Sequence, residues 1–397
     1  MRILQVTPAF PPSALGGVST HVDLISRELV ERGHTVWVAT TNRYDTRTVM
    51  PFSGLRETNK LRVYYAASYW PGRYFFAPRI LVVLRNWIPT FDVVHVHDAR
   101  TFVGLASYLF ARHSSVPYVL SCHGSLSLQV GDTFLKRAHD GLVGRGLAEN
   151  ASALVAVSEK EARDITAFGI PPDRISIIPN TVQIEEPEAL HKRARPPLSN
   201  KSVKTVLYLG RVHPIKGLDR LVEAFEIVHK RVKETRLLIV GQDYGARVRL
   251  EAMVKKLGLT ESVEFRPPVQ GAQKSELLRD ASLLVLPSYN EIFGLVILEA
   301  FAAELPVVTT VGCSIAPDLE EAGAGLVVSS APEMAVAIER CLTDRSLADG
   351  LRQGGLSLLR SKYNWQSAFT KLEGVYARLI LSRESRRSEP QRRRANQ

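Results

Sequence analysis

Residues 283–300, LLVLPSYNEIFGLVILEA, pass from an unbroken apolar run through a polar loop into a second apolar stretch. The first run, closed by Pro and Ser, reads as a buried strand, and the stretch after Phe293-Gly294 reads as a helix starting near Phe293. The same strand–loop–helix pattern recurs along the chain. RILQVT, TVWVAT, DVVHVH, PYVLSC, ALVAVS and RISIIP form one series; TVLYLG, RLLIVG, SVEFRP, LLVLPS, PVVTT and GLVVSS form a second. Segments such as 18–32 and 217–232 between them carry apolar residues at helical spacing. Near-continuous apolar strands alternating with helices indicate parallel sheets covered on both faces. Two such series indicate two doubly wound α/β domains.

The polar, Pro-containing stretch TVQIEEPEALHKRARPPLSNKS marks the break between them. The expected organisation is a first Rossmann-like domain over 1–181, a linker over 182–202 and a second Rossmann-like domain over 203–363. A helix over 364–382 would pack back on the first domain, and 383–397 would form a basic tail. Two open sheets joined in this way would face each other across a cleft. Ligands of such sheets bind outside the carboxyl ends of the strands, so unusual residues after strands carry the functional signal.

Composition narrows the class. A chain of 397 residues is long for one domain, and 45% hydrophobic with 23% charged residues is that of a globular protein. No apolar run reaches the roughly 18 residues of a membrane span, and MRILQVTPAF meets Pro too early for a secretory segment. Three cysteines without metal-type spacing (Cys122, Cys313, Cys341) fit a reduced, cytoplasmic chain. Net charge is +11; the tail RESRRSEPQRRRANQ holds six Arg against two Glu, which leaves +7 elsewhere. A basic protein suits a phosphorylated small substrate, anionic lipid or nucleic acid. No nucleic-acid motif is present, so the tail reads as a solvated end or as a contact to the inner face of a membrane.

Three constellations carry chemistry. PAFPPSALGGVSTHV (8–22) follows the first strand and puts Gly16-Gly17 before a helix, either a plain turn or a backbone approach to a phosphate. It has neither a dinucleotide fingerprint nor a P-loop pattern. LGRVHPIKGLDRL (209–221) opens the second domain with Arg211 and Lys216, a fork and a point charge that together suit a diphosphate, or else a solvated basic loop. In the opening stretch Glu291 and Glu299 bracket a helix start whose N–H groups at Gly294 and Leu295 are open to a phosphate. Eight residues of helix span roughly 12 Å, the reach of an extended ligand with hydroxyls at each end and phosphates between. An ion pair and a helix cap are the structural readings of the same two acids.

Together these pieces resemble glycosyltransferase family 4, retaining enzymes of the two-domain GT-B fold. The resemblance rests on Gly16-Gly17, DVVHVH, HG at 123–124, IPNTV, GR and KG within 210–217, and above all Glu-x7-Glu with FG inside it. It runs from residue 1 to about 380. It implies transfer of a hexosyl group from a nucleoside diphosphate sugar to an acceptor hydroxyl of a glycan or lipid-linked acceptor, with no metal and no other cofactor. Gly16, Gly17, Arg211, Lys216, Gly294 and Leu295, with Phe293 beside them, would hold the donor phosphates. Glu299 would take the ribose, Glu291 the hexose, Val269 and Lys274 the base and ribose, and His123 the donor sugar at its anomeric centre. His97 and Asp98 would lie on the acceptor side. VGQDYG (240–245) and Pro267 depart from the family pattern and leave the nucleotide and sugar open.

Other readings are weaker. His95 and His97 share a strand face without an obvious third ligand, so a structural role outweighs a metal one. No Asp-x-Asp occurs, which disfavours the metal-dependent glycosyltransferase fold. Cys122 beside His123 reads as a buried thiol rather than a nucleophile. RYFFAPRILVVLRNWIP (73–89) reads as a covering helix, with membrane docking as the alternative. A nucleotide-sugar epimerase and a non-catalytic nucleotide-sugar or polyanion binder are the rival functions.

Overall fold

A computed structural model describes residues 1–13, 16–45, 47–58, 60–69, 75–126, 144–182 and 203–395. The chain divides into two compact units, Met1–Pro179 with Gln366–Gln397, and Asn180–Trp365. Most of the expected linker lies outside the described residues.

The first unit is built on β1 (Arg2–Val6), β2 (Thr35–Thr41), β3 (Gly54–Thr58), β4 (Leu61–Ala66), β5 (Val93–His97), β6 (Tyr118–Ser121), β7 (Ala153–Ala156) and β8 (Ile175–Ile177). Their order in the sheet is β3-β4-β2-β1-β5-β6-β7-β8, and only the β3–β4 pair is antiparallel. The second unit holds β9 (Lys204–Leu209), β10 (Thr235–Val240), β11 (Val263–Arg266), β12 (Leu283–Leu286), β13 (Val307–Thr310) and β14 (Leu326–Val328), ordered β11-β10-β9-β12-β13-β14. Central strands are buried on both faces, which is why they read as continuous apolar runs: Ile3, Leu4, Val206, Leu207, Leu284 and Val285 are fully buried. Burial of each such side chain contributes about 1.5–3 kcal/mol.

Strand order reverses between β1 and β5 in one sheet and between β9 and β12 in the other. The loops that leave those four strands splay apart and open a crevice at each carboxyl edge. The residues singled out as HG, GG, GR, KG and Glu-x7-Glu all follow strands of the two sheets.

Several expected boundaries shift. The helix after β12 is Leu295–Ala302, two residues later than expected, because Gly294 takes a left-handed conformation (φ 79°) and caps it. The last helix runs Trp365–Ala395, so the stretch expected as a basic tail continues a helix instead; Arg and Glu are good helix formers. Its first half belongs to the first unit: Tyr376 is fully buried, and Glu373 pairs with His34 at 2.7 Å and Arg32 at 3.2 Å. In the described part of 73–89, the helix Arg79–Trp87 turns Ile80 and Leu84 into the core and exposes Arg79, Val82 and Arg85. That is the covering helix. Among the described residues no helix is long and apolar enough to cross a membrane.

At the carboxyl edge of the second sheet, adjacent loops touch backbone to backbone. A Cβ on Gly241, just after β10, would stand 1.7 Å from the Gly210 carbonyl oxygen. Gly241→Ala is therefore expected to cost the second unit about 1–3 kcal/mol or more. Calorimetry should show its unfolding transition moved down, and an unchanged transition would contradict this packing.

Candidate active site

In the second unit, three loops converge on Glu291. The loop after β9 makes a tight turn over Pro214–Lys216, in which His213 Nδ1 accepts the Ile215 N–H at 3.1 Å. Gly217 follows in a left-handed conformation (φ 63°), and a Cβ there would lie 2.2 Å from the Pro287 carbonyl oxygen. Only glycine lets this turn press against the loop after β12. Tyr289 N–H bonds to the Ile215 carbonyl at 2.9 Å from the other side. The loop after β13 closes the arrangement: Glu291 N–H donates to Gly312 O at 3.0 Å, and Ser314 N–H returns to Glu291 O at 2.9 Å. Gly312 is required for the same reason as Gly217, since its Cβ would be 2.4 Å from Tyr289 O.

These turns deliver Lys216 to Glu291. Lys216 Nζ pairs with Glu291 Oε2, which also accepts from Ser288 Oγ at 3.3 Å. Burial works against the Glu291 charge, but Lys216, then Arg211 and Ser288, overcome it and hold the carboxyl below its ordinary range. Glu291 is thus a carboxylate with one oxygen committed. Arg211 is exposed, its guanidinium 5.7 Å from the centre of the Tyr244 ring.

Beyond Glu291, Gly294 caps the helix Leu295–Ala302 without a side-chain hydrogen bond. In its first turn the Ile297 N–H is bonded to Gly294 O at 2.8 Å, while the N–H groups of Leu295 and Val296 sit at the positive end of the helix dipole. Phe293 is buried against Tyr363, ring centres 5.6 Å apart. One turn further, Glu299 Oε1 pairs with Lys274 Nζ at 2.5 Å, while Oε2 is buried with no partner among the described residues. An unpaired buried carboxylate oxygen is costly and is suited to a ligand donor. Val269 lies half-buried in the loop before the helix Gly271–Asp280, which carries Lys274.

In the first unit, Gly16 (φ 88°) caps the helix Gly17–Glu31, again without a side-chain hydrogen bond. Among the described residues beyond the adjoining chain, no atom lies within 4 Å of a Cβ built at Gly16 or Gly17. Beside it sit four imidazoles. His95 Nδ1 is 2.6 Å from Tyr376 Oη and its Nε2 2.8 Å from Ser121 Oγ. His97 Nδ1 is 3.0 Å from His123 Nε2, and its Nε2 2.8 Å from Gln5 Oε1. His21 packs edge-on to His123 at 5.5 Å, with its Nδ1 buried and unpartnered among the described residues. Burial lowers all four, His95 to about 3 and His123 to about 4. The neighbouring rings lower His21, His95 and His97 further.

His97, expected on the acceptor side, is fully buried with both ring nitrogens engaged, so it reaches the site only through His123. Asp98 is half-buried in a left-handed turn (φ 77°) and accepts the Arg100 N–H at 3.1 Å. Burial, with Glu161 and Asp98 nearby, pushes the Cys122 thiol well up, which leaves it inert. Among the described residues no group of three or more His, Cys, Asp or Glu side chains is arranged to hold a metal ion.

Sequence reasoning missed Gln5, His21, Ser288 and Glu161. Glu161 is a buried carboxylate that accepts N–H bonds from Gly124 at 2.5 Å and Val157 at 2.7 Å. It holds the turn in which His123 (φ 48°) and Gly124 (φ 79°) are both left-handed. The Ser158-x-x-Glu161 spacing signals a helix cap, but its reach to Gly124 is not a sequence property.

Comparison with known proteins gives a consistent picture. The family described as Glycosyl transferases group 1 matches residues 192–356, and that described as Glycosyltransferase Family 4 matches residues 15–186. An uncharacterised glycosyltransferase of Methanocaldococcus jannaschii is 26% identical over 391 residues, 95% of this chain and 98% of the relative. Among solved structures, sucrose-phosphate synthase from Thermosynechococcus elongatus superposes with a TM-score of 0.77 at 20% identity, over 96% of this chain and 99% of that one. Anabaena HepE, in complex with UDP and glucose, gives 0.75 at 18% identity over 95% and 99%. These structures share the two-domain GT-B architecture.

The buried imidazoles predict acid sensitivity. Between their ordinary value of 6.5 and about 4, the unfolded chain takes up protons that the folded one refuses. Stability is therefore complete above that window and falls as pH drops through it, by up to about 1.4 kcal/mol per pH unit for each ring. The Glu291 contribution is present above its ordinary value of 4.5 and is lost only below it, as pH falls through the depressed folded value. Urea midpoints measured across the histidine window should decline, and a His95→Gln variant should decline less steeply. A flat profile would contradict burial of neutral rings.

Proposed function

The chain belongs to the group 1 glycosyltransferases of family 4, and on that premise we propose that it moves a hexosyl group from a nucleoside diphosphate sugar to an acceptor hydroxyl with retention at the anomeric carbon. The observation that carries this is the pair of acids on either side of an open helix start. Glu291 is held charged by Lys216, and Glu299 keeps one buried oxygen without a partner among the described residues. A donor laid along the stretch would place hexose hydroxyls at Glu291, phosphates at Gly294 and Leu295, and ribose at Glu299, with the base near Val269 and Lys274. The UDP and glucose held by Anabaena HepE support a nucleotide-sugar donor of this class.

In the reaction, the acceptor oxygen bonds to the anomeric carbon as the bond from that carbon to the phosphate oxygen breaks. The acceptor proton passes to the leaving phosphate on the same face. Charge grows on the diphosphate in the transition state, so donors aimed there contribute more to rate than to ground-state binding. Arg211, Lys216 and the N–H groups of Gly294 and Leu295 are those donors. Their positive charge and dipoles do the work that a metal does in other transferases, so the reaction proceeds without one. Double displacement through Glu291 is less well supported, because Lys216 and Ser288 already engage its Oε2. His123 offers a ring nitrogen to a substrate hydroxyl. The acceptor belongs to polysaccharide, glycolipid or other glycoconjugate synthesis.

Calorimetry and nucleotide release over a panel of UDP-, GDP- and ADP-sugars test the assignment. Glu299→Ala should weaken donor binding about 10- to 100-fold, the loss expected for hydrogen bonds to a charged group. Glu291→Gln should lower turnover by a similar factor with smaller change in donor affinity. Unchanged affinity and turnover in both variants would sink the site. Chelator treatment should leave turnover intact, and a rate restored only by a divalent cation would refute metal independence.

A further inference from the structure

We propose that Gln5 and His97 are positioning residues that fix the tautomer of His123, so that its Nδ1 is a bare hydrogen-bond acceptor for a substrate hydroxyl. Gln5 Oε1 lies 2.8 Å from His97 Nε2. A carboxamide oxygen only accepts, so the hydrogen sits on that ring nitrogen. In a neutral imidazole the other nitrogen then carries the lone pair. His97 Nδ1 is that acceptor, and the nitrogen 3.0 Å from it is His123 Nε2. His123 must donate from Nε2, which leaves Nδ1 without a hydrogen.

Neither ring escapes this alternation by taking a second proton, because burial first, and for His97 the neighbouring rings as well, keep both neutral. Gln5 Nε2 finds no hydrogen-bond partner among the described residues, so Oε1 makes the contact of this amide, to His97. Gln5 and His97 are fully buried on β1 and β5, the neighbouring strands of the reversal point, and His123 follows β6. The chain of bonds therefore crosses three adjacent strands, and it reverses only if the Gln5 amide turns over to offer its N–H to His97.

The main chain is fixed separately. His123 is left-handed (φ 48°), a conformation that residues with a Cβ rarely adopt. Glu161 holds the following N–H of Gly124 in place. With the backbone tied from one side and the ring from the other, a half-buried His123 presents a single nitrogen outward in a single protonation state. A lone pair there suits a donor O–H, the group that sugars and alcohol acceptors supply in number. The opposite tautomer would present an N–H and demand that the hydroxyl reverse its bond. The assignment rests on His123 serving a substrate hydroxyl, as proposed above, but the tautomer is observable without turnover.

The experiment is nitrogen NMR of the full-length protein with 15N-labelled histidine at neutral pH, with His123 assigned by His123→Asn. His123 should show an unprotonated Nδ1 and a protonated Nε2. Gln5→Met, which removes the acceptor oxygen, should mix the tautomers and lower kcat/KM about tenfold or more, the scale seen when a partner that orients an imidazole is lost. Gln5→Glu, which keeps an acceptor oxygen at that place, should retain the wild-type tautomer. A wild-type His123 protonated at Nδ1 would overturn the proposal, and so would an unaltered tautomer in Gln5→Met. A chain that shows the tautomer but transfers no sugar would leave this inference standing and refute the transferase reading instead.

Discussion

Glu291 is a carboxylate withdrawn from water, and the second unit is organised around keeping it charged. Removing an ion from solvent costs several kcal/mol unless a partner lies close and the remaining lone pairs are met. Lys216 supplies the partner, but it belongs to a loop after a different strand. The two loops meet only because Gly217 and Gly312 have no Cβ to strike the carbonyls of Pro287 and Tyr289. Backbone hydrogen bonds at Tyr289, Glu291 and Ser314 then hold the carboxylate on a rigid frame. The same frame sets Gly294 in the left-handed turn that starts the next helix and leaves its first N–H groups open. A charge, its counterion and an unfilled set of donors are thus one construction.

The first unit solves the opposite problem. Four imidazoles lie within ring contact of one another, where two protonated neighbours would repel in a low dielectric. Burial keeps them neutral, and neutrality makes their hydrogen bonds directional, since each ring has one donor and one acceptor. The helix that closes the chain takes part through Tyr376. Its docking is therefore tied to the polar interior of the sheet as well as to the apolar core.

Under the proposed transfer from a diphosphate sugar, a leaving group that gains negative charge needs fixed positive ends, the part proposed for Arg211, Lys216 and a helix start of the second unit. Hydroxyl groups need oriented neutral acceptors and donors, the part proposed for His123 and the residues behind it in the first unit. Glu299 has one oxygen neutralised by Lys274 and the other buried without a partner among the described residues.

Much of this was legible in the linear sequence. Continuous apolar strands with intervening helices specified two parallel sheets, because only sheets covered on both faces produce that pattern. The spacing of Glu291, Phe293-Gly294 and Glu299 marked a strand-to-helix junction with an acid on each side, since helix geometry is local. The counterions were not legible in that way. Lys216 lies 75 positions from Glu291, Lys274 lies 25 from Glu299, and Gln5 lies 92 from His97. Such pairs are decided by strand order, which brings the ends of non-consecutive strands together. Glu161 reads as a helix cap until the fold sets Gly124 above it, and His97 reads as a structural or acceptor-side histidine until both its nitrogens are seen to be engaged. Local spacing determined which residues carry chemistry here; the tertiary structure alone decided their partners, because a charge or a tautomer is set by what lies across the sheet and not by what lies next in the chain.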